Sequence, residues 1–329
     1  MLALSDPLWC KLNTAYGFAK DIPLGLVALA EDWDEEAARD LMHGELLHQE
    51  TCYGATYAAA PYLLKLAQPD CNVVQRMDIA VFLSHLALCA FRRSGQDTPA
   101  NGSLNGLALT LESWEKTRDP YRPESGHGAE RHKPAGHCEI MDLERPSDAE
   151  LRKFEDIRDS FMALLPDIGS LCESTFHEHR DDDYIPRYLL SVIAATVGLT
   201  ELARLLDSGE DGSFTCAACG TNIDYILFGD FMALYFENSE GGPAHTQEAD
   251  RALRDWEEGE AKRADCLVKA LDNLDDQAEP LVTKLISLAQ RAENPSVELL
   301  LRNFLGEFRC AECDETCQVC TADNKSSEP

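Results

Sequence analysis

Apolar residues recur at helical spacing through most of the first 93 residues. In the second such segment they return every three or four positions, as they do along one face of an α-helix: Ala37, Ala38, Leu41, Met42, Leu46 and Leu47. The pattern predicts helices over residues 22–30, from about 34 to 48, 56–67 and 73–92. Asp21 is placed to cap the first helix, and Pro61 is expected to bend the third or delay its start. We therefore interpret residues 1–93 as N-terminal helical repeats.

The pattern changes after residue 93. Residues 94–147 are rich in Gly, Ser, Asn, Pro and charged side chains, which predicts a flexible linker or insertion. Helical spacing resumes in residues 148–320, with helices expected at 148–165, 167–177, 185–206, 246–275, 279–292 and 295–305. Residues 321–329 are expected to form a disordered tail.

Short helices joined by short loops, without an alternating strand pattern, predict an all-α fold. A proline followed by an apolar helix occurs at Pro61, Pro186 and Pro280, which favours divergent helical repeats. The expected architecture is a stack of helical hairpins, an α-solenoid, with a cysteine-based metal element in its C-terminal half.

Net charge narrows the classes of partner. The chain has 59 acidic and 29 basic residues, a formal charge of −30. The negative electrostatic potential of such a chain disfavours binding to nucleic acid and to anionic membranes. It favours a protein partner, above all a basic one. The alternative is that the charge only maintains solubility. Acidic residues are densest in 31–50 and 237–265.

The N-terminal residues lack the features of a signal peptide, and no apolar run reaches the length of a membrane span. These features predict a cytoplasmic protein. Thirteen cysteines in a reducing compartment indicate free thiols and metal binding rather than disulfides.

Two CxxC pairs form the strongest chemical signal. Cys216 and Cys219 are followed by Gly220, which suits the turn after a zinc knuckle, and a second pair is Cys310 and Cys313. Four thiolates would form a closed tetrahedral site for a structural zinc ion, with no position open for catalytic water. Such a site would connect distant segments of the chain.

A third pair leaves the ligand assignment open. Cys317 and Cys320 could replace the second pair or remain free thiols. We favour Cys310 and Cys313 because Phe308 precedes them as Phe214 precedes the first pair. The remaining cysteines are expected mainly as small buried hydrophobes: Cys10, Cys52, Cys71, Cys89, Cys138, Cys172 and Cys266.

No pattern typical of a catalytic site stands out, so we predict no catalytic residues. The run from His177 to Asp183 has the spacing of a dinuclear hydrolase motif, but an acidic loop between helices is the better interpretation. His43 and His48 are five residues apart, whereas a zincin needs four. The histidines at 127, 132 and 137 fall in the predicted linker. Five further polar side chains are expected to form hydrogen bonds with the backbone of loops, or alternatively to line a ligand groove. These residues are Tyr16, His48, Gln49, Tyr53 and Thr56.

Two sets of residues carry a resemblance to a known family. The first is Ala15-Tyr16-Gly17 with Asp21-Ile22-Pro23, His48-Gln49-Glu50-Thr51, Tyr53 and Ala55-Thr56, within about the first 70 residues. The second is the pair of knuckles that begin at Phe214 and Phe308. Both sets resemble a group of bacterial HEAT-repeat-like proteins. The resemblance implies an α-solenoid used for protein contacts, without shared catalytic chemistry.

These observations predict a non-enzymatic scaffold or adaptor with a structural zinc ion. One alternative is an acidic immunity protein that blocks a basic toxin or nuclease by charge mimicry. Another is a metal-dependent hydrolase that uses His177, His179 and the adjacent aspartates. The sequence indicates neither the partner nor the oligomeric state.

Overall fold

The protein divides into two compact units in a computed structural model. The first unit is Met1–Leu171 and the second is Cys172–Pro329. The structure describes residues 1–48, 51–69, 71–93, 147–179, 182, 184–228, 231–236, 266–272 and 280–320. The predicted linker (apart from residue 147) and the predicted tail lie outside these residues.

The first unit is mainly helical. Its elements are a 3₁₀ turn at Pro7–Lys11, α1 (Ile22–Glu31), α2 (Glu35–Arg39), a π-helical turn at Asp40–Leu46, β1 (Leu47–His48), β2 (Thr51–Cys52), α3 (Gly54–Leu66), α4 (Val73–Arg93) and α5 (Asp148–Thr175). The last of these extends across the boundary into the second unit.

Helix α3 forms the centre of the first unit. Its residues from Gly54 to Pro61 are all buried, and small alanines allow close packing around it. Tyr57 meets Phe161 of α5 edge to face, with ring centroids 5.1 Å apart. Thr56 stabilises the start of α3, because its hydroxyl accepts a hydrogen bond from the Tyr53 N–H at 2.9 Å and donates one to the Leu46 carbonyl. The predicted bonding of loop backbone is thus observed for Thr56.

The second unit combines helices with strands. After a 3₁₀ turn at Phe176–His179 come α6 (Ile185–Thr196), α7 (Thr200–Ser208), β3 (Asp211–Thr215), β4 (Asn222–Phe228), β5 (Phe231–Phe236), β6 (Cys266–Leu267), α8 (Pro280–Arg291), α9 (Pro295–Phe304), β7 (Glu307–Arg309) and β8 (Thr316–Gln318).

Strands β3 to β6 form an antiparallel sheet in chain order, and β7 pairs with β8. The prediction of an all-α solenoid is therefore wrong; the fold contains both helices and sheets. Strands β4 and β5 are rich in β-branched and aromatic residues, which pack well on a pleated surface. Every residue of β5 from Met232 to Phe236 is buried, so this strand has no polar face that alternation could reveal.

The second unit repeats one order of elements. A helical hairpin (α6 and α7, then α8 and α9) precedes a β-hairpin (β3–β4, then β7–β8) that carries a CxxC pair in its turn. Cys216 comes 30 residues after Pro186, and Cys310 comes 30 residues after Pro280. The repeated pattern of a proline followed by an apolar helix, at Pro186 and Pro280, therefore marks two similar structural segments of the second unit.

Several predicted helix boundaries are wrong. Residues 148–175 form one helix that continues through Pro166, and residues 185–208 form two helices separated near Gly198, whose φ is +90°. Cys266–Leu267 is a strand within the segment that we predicted as helix 246–275, of which residues 246–265 and 273–275 lie outside the described part. Among the described helices, none has the length and apolar character needed to cross a membrane.

Candidate metal centre

The first CxxC pair lies in the turn between β3 and β4. The Cys216 N–H donates to the Thr221 carbonyl at 2.9 Å, and the Gly220 N–H donates to the Cys216 carbonyl at 2.9 Å. These bonds close a tight turn in which Gly220 has φ +77°, in the left-handed region that glycine tolerates. The backbone thus directs both thiols to the same side of the turn.

The second pair has the same backbone geometry between β7 and β8. The Cys310 N–H donates to the Glu315 carbonyl, and the Asp314 N–H donates to the Cys310 carbonyl, both at 2.9 Å. Asp314 takes the position of Gly220 with φ +62°, which aspartate tolerates better than most residues, and its carboxylate pairs with Arg309 at 2.5 Å. An aspartate after the second pair is therefore compatible with a knuckle.

The two turns bring four thiols together. The sulfur atoms of Cys216, Cys219, Cys310 and Cys313 all lie within 4.8 Å of one another. Those of Cys219 and Cys310 are 3.8 Å apart, which is about the separation of two sulfurs bound at ~2.3 Å to one tetrahedral zinc ion. The structure therefore places all four predicted ligands where one metal ion could bind them.

An aromatic cluster supports the two hairpins beneath the thiols. Phe214 and Phe308 meet nearly edge to face, with centroids 5.4 Å apart, and Tyr225 packs against Phe214 and Phe304. Both phenylalanines are buried, and each lies two residues before the first cysteine of its pair. The two phenylalanines that precede the CxxC pairs in the sequence thus contact each other in the structure. The sequence analysis did not identify Tyr225 and Phe304 as part of this cluster.

The thiols differ in their electrostatic surroundings. Hydrogen bonding with the hydroxyl of Thr221, at 3.2 Å, and then with the backbone N–H of the same residue lowers the pKa of Cys219 to about 6. At Cys313, a hydrogen bond from the Glu315 backbone N–H lowers the pKa, whereas burial and hydrogen bonds with the neighbouring thiols raise it. The net effect is a pKa raised to about 12. Cys219 is therefore more readily ionised than Cys310 and Cys313, the pKa values of which are raised, and a metal ligand must be ionised.

Cys317 lies beside the four thiols without belonging to their group. Its sulfur is 3.6 Å from that of Cys216. In β8 it pairs with Phe308, just as Ile223 of β4 pairs with Phe214. Cys317 thus has the position of a core isoleucine in the other hairpin. Cys320 is buried, and burial raises its pKa to about 12.

The other cysteines fit the predicted role only in part. Cys52, Cys89 and Cys172 are buried, in agreement with the expectation. Cys10 is exposed, whereas Cys71 and Cys266 have intermediate exposure. Cys138 lies outside the described residues.

Within the described residues, the histidine segments form no comparable cluster. His177 is exposed and His179 is buried. Asp182 accepts hydrogen bonds from the N–H groups of Tyr184 and Ile185 at 2.8 Å, just before the first turn of α6. His43 packs edge to face on Phe82, with centroids 5.7 Å apart. The side chain of His48, the residues Gln49, Asp181 and Asp183, and the histidines at 127, 132 and 137 lie outside the described part of the chain. The four cysteines are the one group of metal-ligand side chains that the described residues bring together.

Comparisons with known proteins provide no relative for this chain: no protein-family model, no curated protein and no solved structure matches it.

Proposed function

We propose that the protein binds another protein and performs no catalysis, and that a zinc ion bound by Cys216, Cys219, Cys310 and Cys313 maintains its second unit. The observation that carries the metal proposal is the convergence of four thiols from two similar turns. A tetrahedral set of four thiolates is typical of zinc or iron–sulfur sites, and zinc is the ion that such a set holds in structural sites. A reducing compartment such as the cytoplasm would keep them available for the metal.

A structural role follows from the ligand set. Four protein ligands complete the tetrahedral shell of zinc, so no coordination position is left for substrate or water. Cys216 and Cys310 are buried, and the β-strands that precede them rest on the Phe214–Phe308 contact. Zinc binding would therefore contribute directly to folding of the second unit, as it does in other small zinc sites.

Protein binding is supported by charge and by the absence of a catalytic arrangement among the described residues. The net charge of −30 favours a basic partner and makes association sensitive to salt. A scaffold or adaptor is the primary proposal. The same charge favours, as a second candidate, an acidic inhibitor that occupies the binding surface of a basic protein. No feature of the described residues supports the hydrolase alternative.

Metal analysis tests the first part of the proposal. Purified protein should contain one zinc ion per chain, measured by elemental analysis and native mass spectrometry. The Cys216→Ser variant should contain none, and the matched Cys266→Ser variant should retain it, because Cys266 is outside the group. A wild-type protein that binds no zinc when purified under reducing conditions would contradict the metal proposal.

A pull-down with tagged protein, washed at low and at high salt, tests the second part. A single basic partner that salt releases would favour the inhibitor. Several partners, or a neutral partner that salt does not release, would favour the scaffold. Turnover of a substrate by the purified protein would contradict both.

A further inference from the structure

Helix α1 has an apolar stripe on the side that faces away from the core. Ile22, Leu26 and Leu29 are buried, whereas Leu24 is 71% exposed and Val27 is 40% exposed. Ala28 is also exposed. Residues three and four positions apart share one face of a helix, so Leu24, Val27 and Ala28 form a continuous surface, here called the α1 stripe.

This surface differs from the usual outer face of a helix. A helix on the surface of a globular protein normally has polar residues opposite its buried face. Single exposed apolar residues are common, but large ones grouped on one face often mark an interaction site. Gly25 of α1 packs closely against Leu41, because a Cβ added to this glycine would lie 3.2 Å from the Leu41 Cδ1 atom. The side of α1 at Gly25 is therefore filled, and the stripe lies on the outer side.

Acidic residues lie at both ends of the stripe. Asp21 precedes α1, and Glu31 and Asp32 end it, all three exposed. Residues 21–40 contain seven acidic residues and one basic residue. Asp21 has one weak ion pair, with Lys20 at 3.9 Å, and within the described part of the chain Glu31 and Asp32 have none. The carboxylates are therefore available to an external cation.

We propose that the α1 stripe is the docking surface for a basic amphipathic helix of the partner protein. The apolar face of that helix would cover Leu24 and Val27, and its Lys or Arg residues would pair with Asp21 at one end and with Glu31 and Asp32 at the other. Helix α1 has ten residues and is about 15 Å long, so the basic groups of an aligned helix should be separated by about ten residues. Charge complementarity selects a basic helix over a neutral one. The inference rests on the proposed protein-binding function and names its surface.

The first test uses a synthetic helix of about 18 residues built from Leu and Lys, with Leu on one face. A scrambled peptide of the same composition is the control for charge alone. Binding of the labelled amphipathic peptide, measured by fluorescence anisotropy at low and high salt, should exceed that of the scrambled peptide. Equal binding of the two peptides would overturn the proposal, because it would show attraction to net charge alone.

Matched variants localise the binding. Leu24→Ser with Val27→Ser should weaken peptide binding about tenfold, as should Glu31→Lys with Asp32→Lys. Two control pairs in the same unit should retain binding: Val73→Ser with Val74→Ser, which are similarly exposed, and Glu155→Lys with Asp156→Lys, which are exposed acids on α5. Equal losses in the control variants would overturn the proposal.

Other results separate this inference from the proposed function. If a partner is captured but binds the α1 stripe variants as it binds wild type, the surface is wrong and the protein-binding function stands. If light scattering shows a dimer of the wild type that the Leu24→Ser variant lacks, the stripe belongs to a second copy of this chain and the proposal is overturned.

Discussion

Phe214 and Phe308 contact each other nearly edge to face, at a centroid distance of 5.4 Å, although 94 positions separate them in the chain. Each belongs to a short strand that leads into a CxxC turn. Their contact aligns the two turns and brings the four thiols within 4.8 Å of one another. Aromatic packing and the proposed metal binding would therefore support the same arrangement of the second unit.

Loss of one ligand should destabilise the second unit. In Cys310→Ser the three remaining thiols cannot complete a tetrahedral zinc site, so the free energy of unfolding should fall by several kcal/mol, roughly as metal removal does in other structural sites. Thermal unfolding with and without a chelator provides the measurement. The chelator should lower the melting temperature of wild type and leave that of Cys310→Ser unchanged. A chelator effect of equal size in both proteins would contradict the assignment.

Cys317→Val should retain the metal. Valine preserves a buried apolar side chain at the register position that Ile223 has in the other hairpin, so the cost in stability should remain below about 1.5 kcal/mol. Zinc content by elemental analysis is the measurement. Cys317→Ser should also retain zinc but lose about 1 kcal/mol or more, because a hydroxyl would be buried. Release of zinc in Cys317→Val would show that Cys317 is a ligand.

Replacement of either of two glycines of the second unit by alanine should destabilise the protein, for a different reason in each case. A Cβ at Gly220 would meet no atom within 4 Å, but its φ of +77° is unfavourable for alanine, so Gly220→Ala should cost about 1 kcal/mol. A Cβ at Gly306 would lie 2.6 Å from the Lys269 carbonyl oxygen, which is part of the backbone bridge between Lys269 and Glu307. Gly306→Ala should therefore be the more damaging change in urea unfolding. The reverse order would contradict this account.

The ion pair between Lys11 and Glu150 should make the first unit sensitive to acid. A hydrogen bond from the Lys11 ammonium, followed by one from the Ser147 backbone N–H, lowers the pKa of Glu150 from 4.5 to about 2. Because the folded-state pKa is below the unfolded one, the stabilisation is present above pH 4.5 and is lost as the pH falls toward 2.

Lys11→Met should therefore raise the pKa of Glu150 and lower the free energy of unfolding at neutral pH by about 1 kcal/mol, with little effect near pH 2. Carboxyl NMR titration and urea unfolding at the two pH values are the measurements. Lys20→Met is the control, because Lys20 is exposed and 3.9 Å from Asp21. A Glu150 pKa unchanged in Lys11→Met would refute the role of this pair.

The helical parts of the fold were largely accessible to sequence analysis, and the sheet was not. Periodic apolar residues predicted α1, α3 and α4, because amphipathic helices depend on spacing within one segment. The run from Ile223 to Phe236 was missed although it is rich in aromatic and β-branched residues around Gly229 and Asp230, a two-residue hairpin signal. An apolar run without alternation fits a buried helix as well as a strand, and only its pairing with β3 and β6 decides between them.

The sequence by itself determined the chemistry of the candidate site. The CxxC spacing and the phenylalanine before each pair are local patterns, so Cys216, Cys219, Cys310 and Cys313 could be favoured without a structure, while Cys317 and Cys320 stayed open as alternatives. Tertiary structure decided which of the six paired cysteines converge. Cys317 is as close to Cys216 as a ligand would be, but its strand register assigns it the position of Ile223. That distinction depends on hydrogen bonds between β7 and β8 and on packing between segments far apart in the chain, which spacing along a single segment does not encode.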